Sequence, residues 1–226
     1  MQLIFLHGAA SSPDTWARQR RHFRHAEYFV YPTTDAGPDT LLAVYADAVL
    51  QSITAPTVVV GHSLGGAVAQ LLAFRAPERV PGVVLVSTGP RLPVNPEILT
   101  GLIHRPTETL DRIARWSVAK SAPASLVERS RAMARGADAD LAYRQFAACD
   151  RFDLSGHAPY PGRAAVVWGA QDRMTTPALV AELFPLFPEH ATFEIPEAGH
   201  LVMLEQPDPF NAALEKALAH IGAETA

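Results

Sequence analysis

Short apolar runs recur along this chain and alternate with stretches of helical periodicity. The runs are 3–6, 28–31, 57–60, 83–86, 164–168 and 192–195. Most are continuous rather than alternating, which predicts strands that are buried on both faces of a parallel sheet. Apolar residues at helical spacing lie between them, over 38–52, 64–75 and 176–184, and a final helix is predicted over 209–220. Alternating strands and helices with right-handed crossovers predict a doubly wound α/β sheet.

The stretch 91–163 interrupts this alternation. Its apolar spacing predicts several helices, around 96–104, 107–119, 124–135 and 138–149. Pro106, Pro123 and Gly136 separate them. Because a core-type strand resumes at 164, we expect a helical lid inserted over 91–163. The core is then formed by 1–90 and 164–226.

The hexapeptide 61–66, Gly-His-Ser-Leu-Gly-Gly, directly follows the apolar run 57–60 and precedes a helical pattern. A Gly-x-Ser-x-Gly pattern between a strand and a helix is typical of a strained turn that exposes a nucleophilic serine. Gly61 and Gly65 flank Ser63, where a Cβ would collide with the adjoining backbone. The pattern is common by chance, so the flanking strand and helix are what make Ser63 the candidate nucleophile.

A serine hydroxyl needs a base in contact, and the base needs an orienting group. His200 follows the run 192–195 in a loop before the final helix, which brings it to the same edge of the sheet as Ser63. Asp172 follows the run 164–168 and is the candidate acid. Its alternative role is to cap the helix near Pro177, but Thr175 and Thr176 are closer to that helix.

The other candidates for these roles are interpreted as structural. Asp150 and Asp153 precede a strand, and we expect them to fix the return from the insertion. His7 and His62 flank the glycines of their loops. The remaining histidines lack a strand-end position and are interpreted as solvent or interface residues: His22, His25, His104, His157, His190 and His220.

A tetrahedral intermediate also requires hydrogen-bond donors that are fixed in advance. We expect one to be the backbone N–H of Leu64, at a helix start where amides are free. We expect the other to be the N–H of Ala9, in the loop 7–10 that follows the first apolar run.

Together these pieces resemble the α/β-hydrolase superfamily. The matching segments are His-Gly at 7–8, the hexapeptide at 61–66, Trp-Gly-Ala-Gln-Asp at 168–172, Gly-His at 199–200 and Leu-Glu-Gln-Pro at 204–207. The resemblance covers nearly all of the chain except 91–149, where lids vary most. It implies a Ser63–His200–Asp172 triad in the chain order of that superfamily, a helical lid and no cofactor. Typical members carry two more strands and a hairpin before the His-Gly strand, so we expect a sheet of about six strands without them.

Serine in the hexapeptide argues against the epoxide hydrolase and haloalkane dehalogenase branches, which place aspartate there. The sequence of the hexapeptide is most similar to those of esterases and lipase-like enzymes. We therefore predict a carboxylesterase-like serine hydrolase that acts on small to medium acyl esters through an acyl-enzyme. C–C bond, enol-lactone and thioester hydrolases share the triad and stay open as alternatives. A non-enzymatic ligand receptor on the same fold is a second alternative.

The composition of the chain argues against some classes of binding partner. A net charge of −4 and a pI of about 6.1 give no electrostatic case for nucleic acid. No apolar run approaches the roughly 20 residues that span a bilayer. A single cysteine, Cys149, excludes an internal disulfide and favours a cytoplasmic location. The expected partner is thus a small-molecule ester, with neither nucleic acid nor a membrane.

Charge is unevenly distributed. The stretch 91–163 holds 11 arginines and lysines against 8 aspartates and glutamates, whereas the rest of the chain holds 8 against 15. A basic lid predicts a leaning toward substrates with an acidic group; the alternative is a solvated helix face that never meets substrate. The apolar lid residues predicted to wall a pocket are Leu99, Leu102, Ile103, Ile113, Trp116, Leu126, Met133 and Phe146.

Overall fold

The computed structural model describes residues 1–223, and these contain one sheet of six parallel strands. The strands are β1 (Gln2–Leu6), β2 (Glu27–Tyr28), β3 (Thr57–His62), β4 (Gly82–Val86), β5 (Arg163–Gly169) and β6 (His190–Ile195). Their order across the sheet is β2-β1-β3-β4-β5-β6. The chain therefore winds outward in one direction from β1 and in the other through β3 to β6, which confirms the doubly wound α/β prediction.

Helices cover both faces of this sheet. The core helices are α1 (Gln19–His22), α2 (Leu41–Ser52), α3 (Leu64–Arg75), α8 (Pro177–Ala181), α9 (Val202–Glu205) and α10 (Pro207–Ile221). Every residue of β3 is buried, and successive side chains point to opposite faces. Val59 packs in the cluster that includes α2 and α3, while Val58 and Val60 pack in the cluster that includes α10. Burial on both faces explains why the strand runs are continuous in the sequence.

The strand β2 is shorter than the sequence predicts. The run 28–31 was expected to be extended, but only Glu27–Tyr28 pairs with β1. The N–H of Phe29 still donates to the carbonyl of Phe5, at 3.0 Å. Beyond that point β1 ends at Leu6 and offers no further partner, so Val30 is exposed.

Between β4 and β5 the described chain folds into α4 (Pro96–His104), α5 (Pro106–Trp116), α6 (Ala124–Arg135) and α7 (Ala139–Asp150). These bounds are close to the predicted ones, and the helices share an apolar cluster with the loop after β1. Arg91 and Asp153 form an antiparallel bridge at the base of the insertion. A carboxylate oxygen of Asp150 also accepts the N–H of Val94, at 2.8 Å. Both aspartates thus hold the ends of the insertion together; its role as a lid stays a prediction.

None of the helices within residues 1–223 is both long enough and apolar enough to cross a membrane.

Candidate active site

Ser63 occupies a strained turn between β3 and α3. Its φ of 54° and ψ of −118° lie in a region that residues with a side chain rarely adopt. The N–H of Ser63 donates to the carbonyl of Val86, and the hydroxyl of Thr88 donates to the carbonyl of Ser63, each at 3.0 Å. Such strain persists where the surroundings hold it, and it is concentrated at functional sites.

Two glycines make this turn sterically feasible. A Cβ on Gly61 would lie 2.2 Å from the carbonyl oxygen of Gly65. A Cβ on Gly65 would lie 2.5 Å from the carbonyl oxygen of Leu6, at the end of β1. Backbone atoms cannot yield at such distances, so both positions require glycine, as the hexapeptide pattern predicts.

His200 and Asp172 form a buried pair. Nδ1 of His200 lies 2.8 Å from Oδ2 of Asp172, and both side chains are almost fully buried. Oδ1 of Asp172 accepts the N–H groups of Met174 (2.8 Å) and Thr175 (2.9 Å), which fixes the carboxylate. The Thr175 hydroxyl donates to the carbonyl of Ser87, at 2.9 Å, so toward Nδ1 it is an acceptor. The two groups next to Nδ1, Oδ2 of Asp172 and the hydroxyl oxygen of Thr175, are thus both hydrogen-bond acceptors. In the neutral ring Nδ1 therefore carries the hydrogen, and Nε2 is free to take a proton.

Ser63 and His200 line one cavity of about 50 Å³, together with Ala9. The rest of its lining is mainly apolar: Leu92, Pro93, Val94, Phe146, Cys149, Met174, Thr175 and Leu179. Burial raises the pKa of the Cys149 thiol to about 12, so that side chain is a neutral part of the wall. The structure thus brings the predicted serine and histidine to one cavity, with the aspartate hydrogen-bonded behind the histidine.

Of the two predicted oxyanion donors, Ala9 lines this cavity, and Leu64 directly follows Ser63, which also lines it. Leu64 is the first residue of α3, where N–H groups have no partner within the helix. Within residues 1–223, neither the N–H of Leu64 nor that of Ala9 has a hydrogen-bond acceptor. The positive end of the α3 dipole also lies at Leu64, which favours negative charge at that point. Their participation as donors stays a prediction at this stage.

His62, adjacent to Ser63, contacts the other histidine. Its Nε2 lies 3.0 Å from the carbonyl oxygen of His200 and donates to it. Burial, with a smaller contribution from His200, holds the pKa of His62 well below the usual value, so its ring is neutral. His62 therefore supports the loop that carries His200, which agrees with its interpretation as structural.

The buried ring of His7 makes folding stability depend on pH. Burial lowers the pKa of His7 from 6.5 to about 4. Below pH 6.5 the unfolded chain binds a proton that the folded chain does not, so stability is lost as the pH falls toward 4. We expect this group to remove about 2 kcal/mol of unfolding free energy between pH 7 and pH 5.

Urea unfolding at the two pH values tests this contribution. A His7→Asn variant should lose about 2 kcal/mol less than the wild type over that interval. The matched control is His25→Asn, at an exposed histidine, whose loss should equal that of the wild type. Equal losses for His7→Asn and the wild type would mean that His7 is protonated in the folded protein.

Glu205 lies in the segment 204–207 and contacts the loop of His200, a contact that its sequence position does not predict. Its Oε1 accepts the N–H of Gly199 (2.9 Å), and its Oε2 accepts the N–H of Ala119 (2.8 Å). Burial raises the pKa of Glu205, while the two N–H donors act in the opposite direction. The carboxylate thereby ties the loop of His200 to the chain that follows α5.

The same part of the insertion binds the loop of Asp172. The guanidinium of Arg173 donates to the carbonyls of Arg115 and Val118, each at 2.9 Å. The N–H of Leu201 donates to the carbonyl of Ser117, also at 2.9 Å. α5 ends at Trp116 and not near 119 as predicted, because the N–H of Ala119 and the carbonyl of Arg115, which would pair in a longer helix, bind Glu205 and Arg173 instead. Arg173 directly follows Asp172, and this adjacency is the one sequence signal that could have pointed to its contacts with the insertion.

The basic residues of the insertion do not reach the cavity. Its lining contains no arginine or lysine among the described residues. Seven of the eleven pair with carboxylates: Arg91, Arg105, Arg112, Arg131, Arg135, Arg144 and Arg151. The expected leaning toward acidic substrates therefore has no support in the structure, and the solvated-surface alternative accounts for these charges.

The predicted apolar wall also needs correction. Of the eight residues proposed for it, all within the described chain, Phe146 lines the cavity. Leu102 and Ile113 are instead buried within the insertion's own cluster, and Ile103 is 56% exposed. Helical spacing identified apolar faces, but most of these faces pack helix against helix.

No group of three or more histidine, cysteine, aspartate or glutamate side chains among residues 1–223 is arranged to hold a metal ion. The candidate site consists of protein groups that can perform nucleophilic and acid–base chemistry. Operation without a cofactor stays a prediction from the resemblance.

Comparisons with known proteins bear on the family and the fold. The sequence model of the alpha/beta hydrolase family matches residues 3–213. The dihydrolipoyllysine-residue acetyltransferase component of the acetoin cleaving system from Cupriavidus necator is 32% identical over 187 residues, 73% of this chain and 45% of that protein. The chain therefore spans less than half the length of that relative. The pimeloyl-[acyl-carrier protein] methyl ester esterase of Aromatoleum aromaticum is 27% identical, over 94% of this chain and 96% of that protein. The solved structure of a thermophilic esterase is 30% identical with a TM-score of 0.81, covering 98% of this chain and 90% of that one.

Proposed function

Because the chain belongs to the alpha/beta hydrolase family, we propose that it is a serine hydrolase that cleaves carboxylic esters of small to medium acyl groups. The observation that carries the proposal is the hydrogen bond between Asp172 and His200, which lies on the same cavity as Ser63. Similarity to an esterase over nearly the whole chain supports the same reaction.

The reaction proceeds in two halves. Nε2 of His200 takes the proton of Ser63 as the serine oxygen attacks the ester carbonyl carbon. Asp172 holds the imidazole in the required tautomer and stabilises its charged form. The carbonyl oxygen becomes an oxyanion, to which the N–H groups of Leu64 and Ala9 donate. His200 then protonates the leaving alcohol, and water releases the acid from the acyl-enzyme by the same steps.

The cavity favours a small, uncharged acyl group. Its volume of about 50 Å³ is a few times the roughly 10–15 Å³ that accommodates one water, so it has room for a few heavy atoms. Leu92, Phe146 and Leu179 in its wall offer apolar contact and no cation. An acyl chain with a free carboxylate would lose hydration there without gaining a partner.

A series of p-nitrophenyl esters tests the proposal. We expect kcat/KM to be highest for acyl chains of about two to four carbons and roughly tenfold lower at eight, because longer chains exceed the cavity. An ester with a free carboxylate should react more slowly than a neutral ester of equal length. Phe146→Leu should shift the optimum toward longer chains, whereas Tyr143→Leu, on the same helix but outside the cavity lining, should not.

Other outcomes of this series would favour the alternatives. Turnover of an enol lactone or a thioester in the absence of simple ester turnover would identify a different hydrolase of the family. Binding of esters without any turnover would indicate a ligand receptor. A preference for long acyl chains in the wild type would contradict the substrate size proposed from the cavity.

The binding partner and the cellular location are two further parts of the proposal. We propose a small-molecule ester as the partner, supported by the apolar cavity next to Ser63. The proposal of a cytoplasmic location rests on cysteine usage: Cys149 is the single cysteine, so the chain forms no internal disulfide.

A further inference from the structure

The loop that carries Ala9 contains a second strained residue. Ala10 has a φ of 48°, the left-handed conformation that residues with a side chain rarely adopt. Its N–H donates to Oε1 of Gln145 at 2.8 Å, in a buried hydrogen bond between groups 135 residues apart. Gln145 is 3% exposed and lies on α7, in the helical insertion. The acceptor that holds this strained backbone therefore comes from outside the core.

The opposite end of Gln145 is also fixed. Its Nε2 donates to the hydroxyl of Tyr45 at 3.2 Å, and Tyr45 is buried on α2. The rings of Tyr45 and Tyr31 stack with centroids 4.1 Å apart and an interplanar angle of 11°. The hydroxyl of Tyr31 donates to the carbonyl of His7, at 3.2 Å. One continuous network thus holds the loop at His7 and again at Ala10.

Ala9 lies between these two held positions. Its N–H has no acceptor within residues 1–223, and the residue lines the cavity that contains Ser63. On the other side, a Cβ on Gly8 would lie 3.2 Å from Cβ of Ser63, so the loop is pressed against the serine turn. The peptide unit that carries the Ala9 N–H therefore lies between two peptide units held by hydrogen bonds, one through the His7 carbonyl and one through the Ala10 N–H.

We propose that Gln145 is a positioning residue for the oxyanion hole. Its side-chain carbonyl holds the peptide unit between Ala9 and Ala10, and so keeps the preceding peptide unit, which carries the N–H of Ala9, in the orientation that the oxyanion requires. The inference rests on the proposed function, because an oxyanion must form beside Ala9. It adds that the insertion contributes to the rate of the chemical step, since α7 supplies this contact as well as part of the cavity wall.

The variant Gln145→Met keeps the length of the side chain and removes the acceptor. Loss of one oxyanion donor costs roughly 100- to 1000-fold in kcat, and a misdirected donor should cost less. We expect kcat to fall about 10- to 100-fold while KM stays within about threefold. The inhibition constant of a boronic acid, which forms a tetrahedral adduct with the serine, should rise by a similar factor. Gln145→Glu retains an oxygen acceptor toward Ala10 and should recover most of kcat.

Gln19→Met is the matched control for lost stability. Gln19 is also a fully buried glutamine, and its Nε2 donates to Asn211 (2.9 Å) and to the carbonyl of Met203 (3.3 Å). Its hydrogen bonds are to α9 and α10 and not to the loop of Ala9, so we expect a lower Tm and a kcat within twofold of the wild type.

Three results would overturn the inference: a Gln145→Met kcat within twofold of the wild type, an equal kcat loss in Gln19→Met, or no recovery in Gln145→Glu. If Gln145→Met does not fold, Gln145→Asn is used instead. Its side chain is one methylene shorter, which moves the acceptor oxygen away from Ala10, and the same kcat, KM and inhibition measurements apply. A wild type without ester turnover would overturn the proposed function and the inference together. A wild type with turnover and an unaffected Gln145→Met would overturn the inference alone.

Discussion

Replacing Ser63 by alanine should abolish ester turnover and leave the fold intact. The change removes one oxygen atom, which is the attacking atom in the proposed reaction. Loss of a triad nucleophile lowers kcat by about a millionfold in well-studied serine hydrolases. Because alanine has the same Cβ as serine, the strained backbone at φ 54° is unaffected, and Tm should change little. Steady-state kinetics and thermal unfolding measure the two effects separately.

Ser87 provides the matched control. It is a second serine at positive φ, 43°, at the end of β4, and it is fully buried. Ser87→Ala should keep kcat within a few-fold of the wild type, because its hydroxyl does not line the cavity with Ser63. A Ser63→Ala protein that kept more than a few per cent of wild-type kcat would show that another residue is the nucleophile.

Asp172→Asn should lower kcat about ten-thousandfold with little change in the binding of a substrate analogue. The reason lies in the contacts of the carboxylate. Oδ1 accepts two N–H groups, from Met174 and Thr175, so the asparagine oxygen will take that position. Its NH₂ group then faces Nδ1 of His200 and donates to it, which moves the ring hydrogen to Nε2. In that tautomer the imidazole cannot accept the serine proton.

Two other aspartates serve as controls for this prediction. Asp150→Asn and Asp153→Asn alter carboxylates at the base of the insertion, where they accept the N–H groups of Val94 and Ser155. Both variants should keep kcat within about tenfold of the wild type. A ten-thousandfold loss in either one, with Asp172→Asn nearly active, would move the acid to the end of the insertion.

The sequence predicted those parts of the fold that depend on local pattern. Apolar runs predicted a strand at each of the six positions, most clearly for the central strands β3 and β4, which are buried throughout. The edge strands β2 and β6 are less buried, and β2 is shorter than its run. The glycines that the turn at Ser63 requires lie within two residues of it, so a short sequence motif is enough to predict the turn. Helix bounds in the insertion were close for the same reason, since Pro106 and Asn95 lie at helix starts that local chemistry determines.

The long-range contacts that position the site could not be predicted from the sequence. Gln145 contacts Ala10 across 135 residues, and Glu205 contacts Ala119 across 86. No local spacing encodes such pairs, because they depend on how the insertion folds back onto the core. The same limit explains the error on the pocket wall, where periodicity gave the apolar faces of the helices but not the surfaces they cover.

Trapping the acyl-enzyme tests the central claim most directly. The protein would be mixed with a short-chain p-nitrophenyl ester, quenched in acid within the first turnover and analysed by intact and peptide mass spectrometry. We predict a mass gain of one acyl group, located on the peptide that contains Ser63 and absent from Ser63→Ala. An acyl group on a different residue, or turnover with no acylated protein at any time, would contradict the account.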